Sequence, residues 1–156
     1  MKTATIKELK TELSRQSVDD LQKLVLKLVK YKKENKELLT YLLFESENEN
    51  SYINAVKLQI DDEFSNINTN SLYLAKKTIR KVLRTTNKHI KYSGIKQTEV
   101  ELLIYFCKKI KDSEIPLQSS KALYNIYHRQ LEKVNTSIGK LHEDLQYDYN
   151  YEIENL

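Results

Sequence analysis

The chain has 156 residues, of which only two are glycine and one is proline. All-β folds need many turn residues, and Rossmann folds and P-loops need glycine-rich phosphate turns, so this composition argues against these classes. Charged residues make up 31% and apolar residues 40%, which is typical of amphipathic helices with one solvated face. We therefore expect an all-α fold of about seven helices. They would form a single bundle or a short HEAT-like array that ends in a long C-terminal helix.

Capping residues followed by apolar residues at helical spacing predict the first four helices. Thr5 with Glu8 three residues later forms a capping-box signature. The four capping candidates are Thr5, Ser17, Asn35 and Ser51. The helices that they begin are expected over about 5–15, 18–33, 36–47 and 52–66.

Three further helices are predicted in the second half of the chain. The fifth covers about 71–92 and ends at Gly94, a residue suited to the left-handed position after a helix. The sixth covers about 98–111, before a break at Pro116, and the seventh covers 120–147. We thus expect one helical domain over 1–147. The remaining residues, 148–156, are acidic and alternate tyrosine with polar residues, which predicts an extended or disordered tail.

The fifth helix separates its charges from its apolar residues. Residues 64–98 carry eight basic and no acidic side chains. At 100° per residue, most of the cations fall within an arc of about 80°, with Tyr73 nearby, and apolar residues such as Ile79, Val82, Leu83 and Ile90 lie opposite. The candidate anion-binding or nucleic-acid-binding residues are Lys77, Arg80, Lys81, Arg84, Lys88 and Lys91.

Two interpretations of this basic face remain open. Lysine and arginine along one helix can bind the phosphate backbone of nucleic acid, with tyrosines available for stacking. Alternatively, the face is simply solvated and is neutralised by carboxylates elsewhere in the fold, with residues 61–63 and the acidic tail as candidates.

The predicted last helix has a heptad pattern. Its candidate self-association residues, at alternating spacings of three and four, are Leu131, Val134, Ile138, Leu141 and Leu145. Such a line either packs along other helices of the same chain or pairs with its copy in a homodimer. Gly139 within it would allow close approach of another helix.

The N-terminal residues resemble a known motif in part. Residues 5–15 resemble the first helix of the SAP DNA-binding motif, and residues 21–28 resemble its second helix. The glycine expected in the connecting loop is missing, and the loop is shorter. We therefore transfer no site residue from this resemblance.

Residues that could support catalysis or metal binding are scattered. The three histidines, His89, His128 and His142, lack metal-ligand spacing. Cys107, the single cysteine, lies at an apolar helical position and is expected to be a buried, unreactive thiol. We accordingly expect no enzyme activity, no cofactor, no metal and no small-molecule substrate.

These observations favour a non-catalytic helical interaction or adaptor module that acts through protein–protein contacts, with another protein or a second copy as partner. The alternative is a non-specific nucleic-acid-binding protein that uses the basic helix over 71–92. The most apolar stretch, 38–44, is far shorter than the roughly 20 residues of a membrane span, so no membrane partner is expected. The cytoplasm is the expected location, because there is no signal-peptide pattern.

Overall fold

In the computed structural model, which describes residues 2–156, all regular secondary structure is helical, so the predicted all-α class is confirmed. The α-helices are α1 (Ile6–Leu13), α2 (Val18–Tyr31), α3 (Lys33–Thr40), α4 (Glu49–Ser65), α5 (Leu72–Ser93), α6 (Lys96–Asp112), α7 (Lys121–Ile138) and α8 (Glu143–Glu154). A π-helical turn covers Tyr41–Glu45, and a 3₁₀ turn covers Leu117–Ser119.

The chain divides into two compact units, whereas the sequence predicted a single domain over 1–147. We call them the N-terminal unit (Met1–Phe44) and the C-terminal unit (Glu45–Leu156). Each has its own helix contacts: α2 packs on α3 in the first, and α4 to α8 pack together in the second.

The N-terminal unit has well-formed caps but almost no core. The Thr5 hydroxyl accepts a hydrogen bond from the Glu8 amide, and the Glu8 carboxylate accepts one from the Thr5 amide at 2.7 Å, which completes the predicted capping box. Ser17 caps α2 in the expected way. Among residues 2–44, however, only Tyr41 is buried. The helices of this unit are therefore specified locally rather than by packing.

The predicted cap of the third helix is wrong. Asn35 does not begin a helix, because α3 begins at Lys33 without a side-chain cap. The Asn35 amide instead donates a hydrogen bond to the Leu28 carbonyl at 2.7 Å, which ties α3 back to the end of α2. This contact satisfies one of the free carbonyls at the C-terminus of a helix.

The C-terminal unit is built around α6. Seven apolar side chains of this helix are at most 1% exposed: Val100, Leu102, Leu103, Ile104, Phe106, Cys107 and Ile110. These side chains cover more than half of the helix circumference, and α4, α5 and α7 all pack against α6. The core of the unit therefore follows the α6 axis.

Helices α4 and α5 begin and end at local signals. Helix α4 begins at Glu49, earlier than predicted, because Asn48 rather than Ser51 is its cap and accepts a hydrogen bond from the Ser51 amide. Helix α5 is capped by Ser71 and ends at Gly94, which has a left-handed φ of 69° as expected.

The long helix predicted over 120–147 is wrong, because α7 ends at Ile138. The chain turns through Gly139, and His142 then caps a new helix by accepting a hydrogen bond from the Asp144 amide. Two acidic residues, Glu143 and Asp144, follow in the first turn of α8, where the helix dipole favours negative charge. The glycine, the cap and the acidic residues together mark the end of one helix and the beginning of the next. The heptad spacing, which continues through this break, predicted a single helix instead.

The expectation of an extended or disordered tail over 148–156 is also wrong, because α8 continues to Glu154. The tyrosines alternate in sequence, but Leu145, Tyr149 and Ile153 are four residues apart and lie on one helix face. Tyr149 is buried, and its hydroxyl donates to the Glu101 carboxylate of α6 at 2.9 Å. Packing against α6 therefore stabilises a helix in this segment.

Candidate anion-binding groove

Helix α5 places its basic face outward, as the sequence predicted. Ile79 and Val82 are fully buried and Ile90 is 7% exposed, while none of the predicted cations is buried. Leu83 differs from expectation, since it is only half-buried. Leu83 lies between the core-facing and basic sides of α5, where it borders a groove on the surface of the C-terminal unit.

A groove of about 890 Å³ lies along the basic face of α5 and is bordered on its other side by α7. We call it the basic groove. It is lined by seven basic residues, Lys76, Lys77, Arg80, Arg84, Lys88, Lys91 and Arg129, together with Tyr73, Leu83, Asn87 and Ile126. No carboxylate is among these lining residues. The groove is therefore a region of strong positive potential next to an apolar surface.

The structure brings five of the six predicted cations into the groove and leaves Lys81 outside. Lys81 instead forms an ion pair with Glu63 at 3.4 Å. Lys76 and Arg129 were not among the predicted site residues. Lys76 lies at the edge of the arc, but Arg129 belongs to α7, and no pattern in the sequence pairs α7 with α5.

Of the acidic residues proposed to neutralise the basic face, Glu63 does so at Lys81, whereas Asp61 is engaged elsewhere. Asp61 forms an ion pair with Lys109 at 2.9 Å and accepts a hydrogen bond from Tyr105 at 2.7 Å. Burial alone would raise the pKa of the Asp61 carboxyl, but these two donors outweigh it and lower that pKa. Helix α8, which carries the acidic tail, contributes no residue to the groove lining.

Most of the groove cations have no carboxylate partner among the residues that the structure describes. Within residues 2–156, no ion pair shorter than 4.0 Å involves Lys77, Arg80, Arg84, Lys91 or Arg129. Lys76 lies over the Tyr73 ring, with Nζ 5.8 Å from the ring centroid. Like charges held together in this way repel one another and favour a bound anion.

A buried carboxylate holds α7 in position beside α5. Glu99 on α6 is 6% exposed and forms ion pairs with Lys133 at 2.9 Å and Lys96 at 2.6 Å. Burial alone would raise the pKa of Glu99, but the two lysines outweigh it and lower that pKa to about 2. Lys133 also donates to the Asn87 side chain of α5 at 3.2 Å, so one cation links α5, α6 and α7.

A smaller cavity of about 270 Å³ extends the groove toward the start of α6. It shares Asn87 and Lys91 with the groove and adds Lys96 and Lys133. Its one lining carboxylate, Glu99, is already paired. The positive surface therefore continues past the end of α5.

The candidate self-association residues of the sequence do not form one line. Val134 and Ile138 are buried in α7, which packs against α6, whereas Leu131, Leu141 and Leu145 are only half-buried. The break after Ile138 places Leu141 outside any helix and Leu145 in α8. The first part of the predicted seam thus belongs to the core of the C-terminal unit.

The cysteine and histidines lie apart from the groove lining. Cys107 is fully buried, as predicted, and this burial raises the pKa of its thiol to about 12. His89 Nδ1 lies 2.9 Å from the Tyr52 hydroxyl. His128 stacks against Tyr124 with ring centroids 4.0 Å apart. Across residues 2–156, no three His, Cys, Asp or Glu side chains are grouped so that they could hold a metal ion.

Comparison of the chain with protein-family models, with curated proteins and with solved structures gives no match. The partial resemblance of residues 5–28 to the SAP motif consequently carries no argument about function. Among the described residues, no helix has the length and apolar character required to cross a membrane.

Proposed function

We propose that this protein binds nucleic acid without sequence specificity, through the phosphate backbone, in the basic groove of the C-terminal unit. The observation that supports this proposal is a groove lined by seven basic residues and by no carboxylate. Polyanions gain affinity from such a surface because bound counterions are released when phosphates are neutralised.

The salt dependence of binding tests this proposal quantitatively. Among residues 2–156, five groove cations have no ion-pair partner, so five phosphate contacts are expected. They predict a log–log salt slope of about −4.5 on duplex DNA and about −3.5 on single strands. Fluorescence anisotropy with labelled oligonucleotides over a series of salt concentrations gives this slope. Absence of binding at low salt would refute the proposal.

A matched pair of double variants separates the groove from net charge. Arg80→Gln with Arg84→Gln removes two groove cations. Lys121→Gln with Lys140→Gln removes two exposed cations that do not line the groove, one at the start of α7 and one just after its end. Both variants lower the net charge equally. The groove variant should reduce the magnitude of the slope by about 1.4 on single strands. The control variant should keep the wild-type slope, and an equal effect of both variants would exclude the groove as the site.

A second candidate function, a protein-interaction module, is supported by the N-terminal unit. This unit exposes the apolar residues of one α2 face, including Leu24, Val25 and Leu28, and of α1, including Leu9 and Leu13. Leu24, Val25 and Leu28 lie on one side of α2, and exposed apolar helix faces are typical of interaction sites. We propose a second copy of this chain as the partner, because residues 1–33 carry nine basic and four acidic side chains whereas residues 34–63 carry two basic and eight acidic ones, so the two segments are complementary in charge.

Sedimentation velocity over a range of concentrations tests self-association. Leu28→Asp should abolish a dimer, because it places a charge on the exposed apolar face. Leu26→Asp is the matched control: Leu26 is similarly exposed, at 48% against 60%, but lies about 200° away around α2. A wild-type protein that is monomeric at every concentration would refute this second candidate.

A further inference from the structure

The basic groove contains apolar and aromatic groups that a phosphate backbone alone does not require. Leu83 of α5 and Ile126 of α7 are half-buried and border the groove together with the cations. Tyr73 at its beginning is 69% exposed. Cations are sufficient to bind phosphates, whereas exposed apolar and aromatic side chains gain free energy by covering flat, apolar surfaces such as the faces of bases.

We infer that the preferred ligand of the groove is single-stranded nucleic acid, an inference that rests on the function proposed above. Phosphates of the strand lie along the cations of α5, and its bases contact Leu83, Ile126 and Tyr73. In a duplex, base faces are stacked on one another and only base edges are accessible, within the grooves. In a single strand the same bases can turn toward the protein while the phosphates turn toward the lysines and arginines.

The length of the groove also favours a chain over a single phosphate group. From Tyr73 to Lys91, α5 rises about 27 Å, at 1.5 Å per residue. This length covers several successive phosphates of one strand. Cations recur along the whole of it, at Lys77, Arg80, Arg84 and Lys91. A polymer therefore uses the groove more fully than a mononucleotide.

The test compares four probes at low salt by fluorescence anisotropy or by competition. Labelled oligothymidylate and oligouridylate represent single-stranded DNA and RNA, oligothymidylate paired with oligoadenylate represents duplex DNA, and inorganic polyphosphate represents a backbone without bases. We expect both single strands to bind at least about tenfold more tightly than the duplex, since several stacked or covered bases each contribute. The ratio between the two single strands distinguishes RNA from DNA as the ligand.

The variant Tyr73→Ala tests the contact with bases directly. Loss of one stacked base corresponds to a decrease of about 5- to 150-fold in affinity for the single strands, with no change for polyphosphate. Tyr147→Ala is the matched control, because Tyr147 is 77% exposed on α8 and does not line the groove. Circular dichroism verifies that both variants keep the wild-type helix content.

The outcomes distinguish this inference from the function on which it rests. Duplex binding that equals or exceeds single-strand binding overturns the inference and leaves the proposed function intact. An unchanged single-strand affinity in Tyr73→Ala, or an equal decrease for polyphosphate, also overturns it. If none of the four probes binds, the proposed function fails as well.

Discussion

The two units of this protein use the same helix-starting signals but differ in what stabilises them. Ser17 caps α2 in the N-terminal unit, as Ser71 and Ser120 cap α5 and α7 in the C-terminal unit. Among the described residues of the N-terminal unit only Tyr41 is buried, whereas α6 alone buries seven apolar side chains almost completely. Caps and amphipathic spacing thus determine where helices form, and tertiary packing determines how stable they are.

This difference predicts unequal stability. Helices of eight and fourteen residues, such as α1 and α2, are marginal in water unless they pack against something. The C-terminal unit instead has a continuous core that should unfold cooperatively. We expect the N-terminal helices to open at lower free energy than the C-terminal unit.

The largest effect is expected from the same substitution made in each unit. Leu103→Ala removes a fully buried side chain of α6 and should cost about 2–5 kcal/mol, because it loses apolar burial and leaves a cavity. Leu26→Ala in α2, where the side chain is 48% exposed, should change the stability by less than about 0.5 kcal/mol. Urea denaturation followed by circular dichroism measures both. Similar losses in the two variants would contradict the difference between the units.

The next effect depends on pH and on the buried Glu99. The two lysines lower the pKa of this carboxyl from its ordinary value of 4.5 to about 2 in the folded state. Ionised Glu99 therefore stabilises the fold above pH 4.5, and this contribution is lost as the pH falls from 4.5 toward 2. At neutral pH the contribution of ionised Glu99 to the free energy of unfolding is on the order of 3 kcal/mol.

The variant Glu99→Gln should remove this contribution and leave Lys133 and Lys96 without their carboxylate. Its stability curve should lie well below that of the wild type at pH 7 and approach it toward pH 2. Glu132→Gln, at an exposed position of α7, is the control and should follow the wild-type curve. A constant difference between Glu99→Gln and the wild type at all pH values would show that the ion pairs do not cause the effect.

The sequence was sufficient for the local features and insufficient for those that depend on tertiary contacts. It predicted the all-α class, the bounds of α5 to within a residue or two and the left-handed Gly94, because each depends on nearby residues. It did not predict Arg129 as part of the groove. That prediction would require knowing that α5 and α7 both pack on α6 and border the same groove. The tail was misinterpreted because Tyr147, Tyr149 and Tyr151 fit an alternating pattern until the contact of Tyr149 with α6 is known.

A smaller effect is expected at the two glycines of the C-terminal unit, which differ in backbone conformation. Gly94→Ala should destabilise this unit by about 1–2 kcal/mol, because an L-residue is strained at a φ of 69° although no atom lies within 4 Å of an added methyl group. Gly139 has a right-handed conformation with φ of −60°, and its nearest neighbours to an added methyl lie at 3.9 Å. Gly139→Ala should therefore stabilise by about 0.4–1 kcal/mol. Thermal unfolding would measure both shifts, and shifts of the same sign would contradict this assignment of the two conformations.

The smallest effect compares the two units in how far the loss of one helix cap increases amide hydrogen exchange. Ser17 accepts a hydrogen bond from the Asp20 amide at 3.2 Å in α2, and Ser120 accepts one from the Leu123 amide at 3.4 Å in α7. Replacing either serine by alanine should cost about 1 kcal/mol, or roughly fivefold in the opening equilibrium. In Ser17→Ala, amide hydrogen exchange should accelerate within α2 and within α3, which packs on it, and should stay unchanged in the C-terminal unit. In Ser120→Ala, it should accelerate at all the slowest-exchanging amides of the C-terminal unit, because α7 is part of the core that unfolds as a whole. Faster exchange across both units in Ser17→Ala would mean that they unfold together, and the contrast between a locally specified unit and a packed one would have to be abandoned.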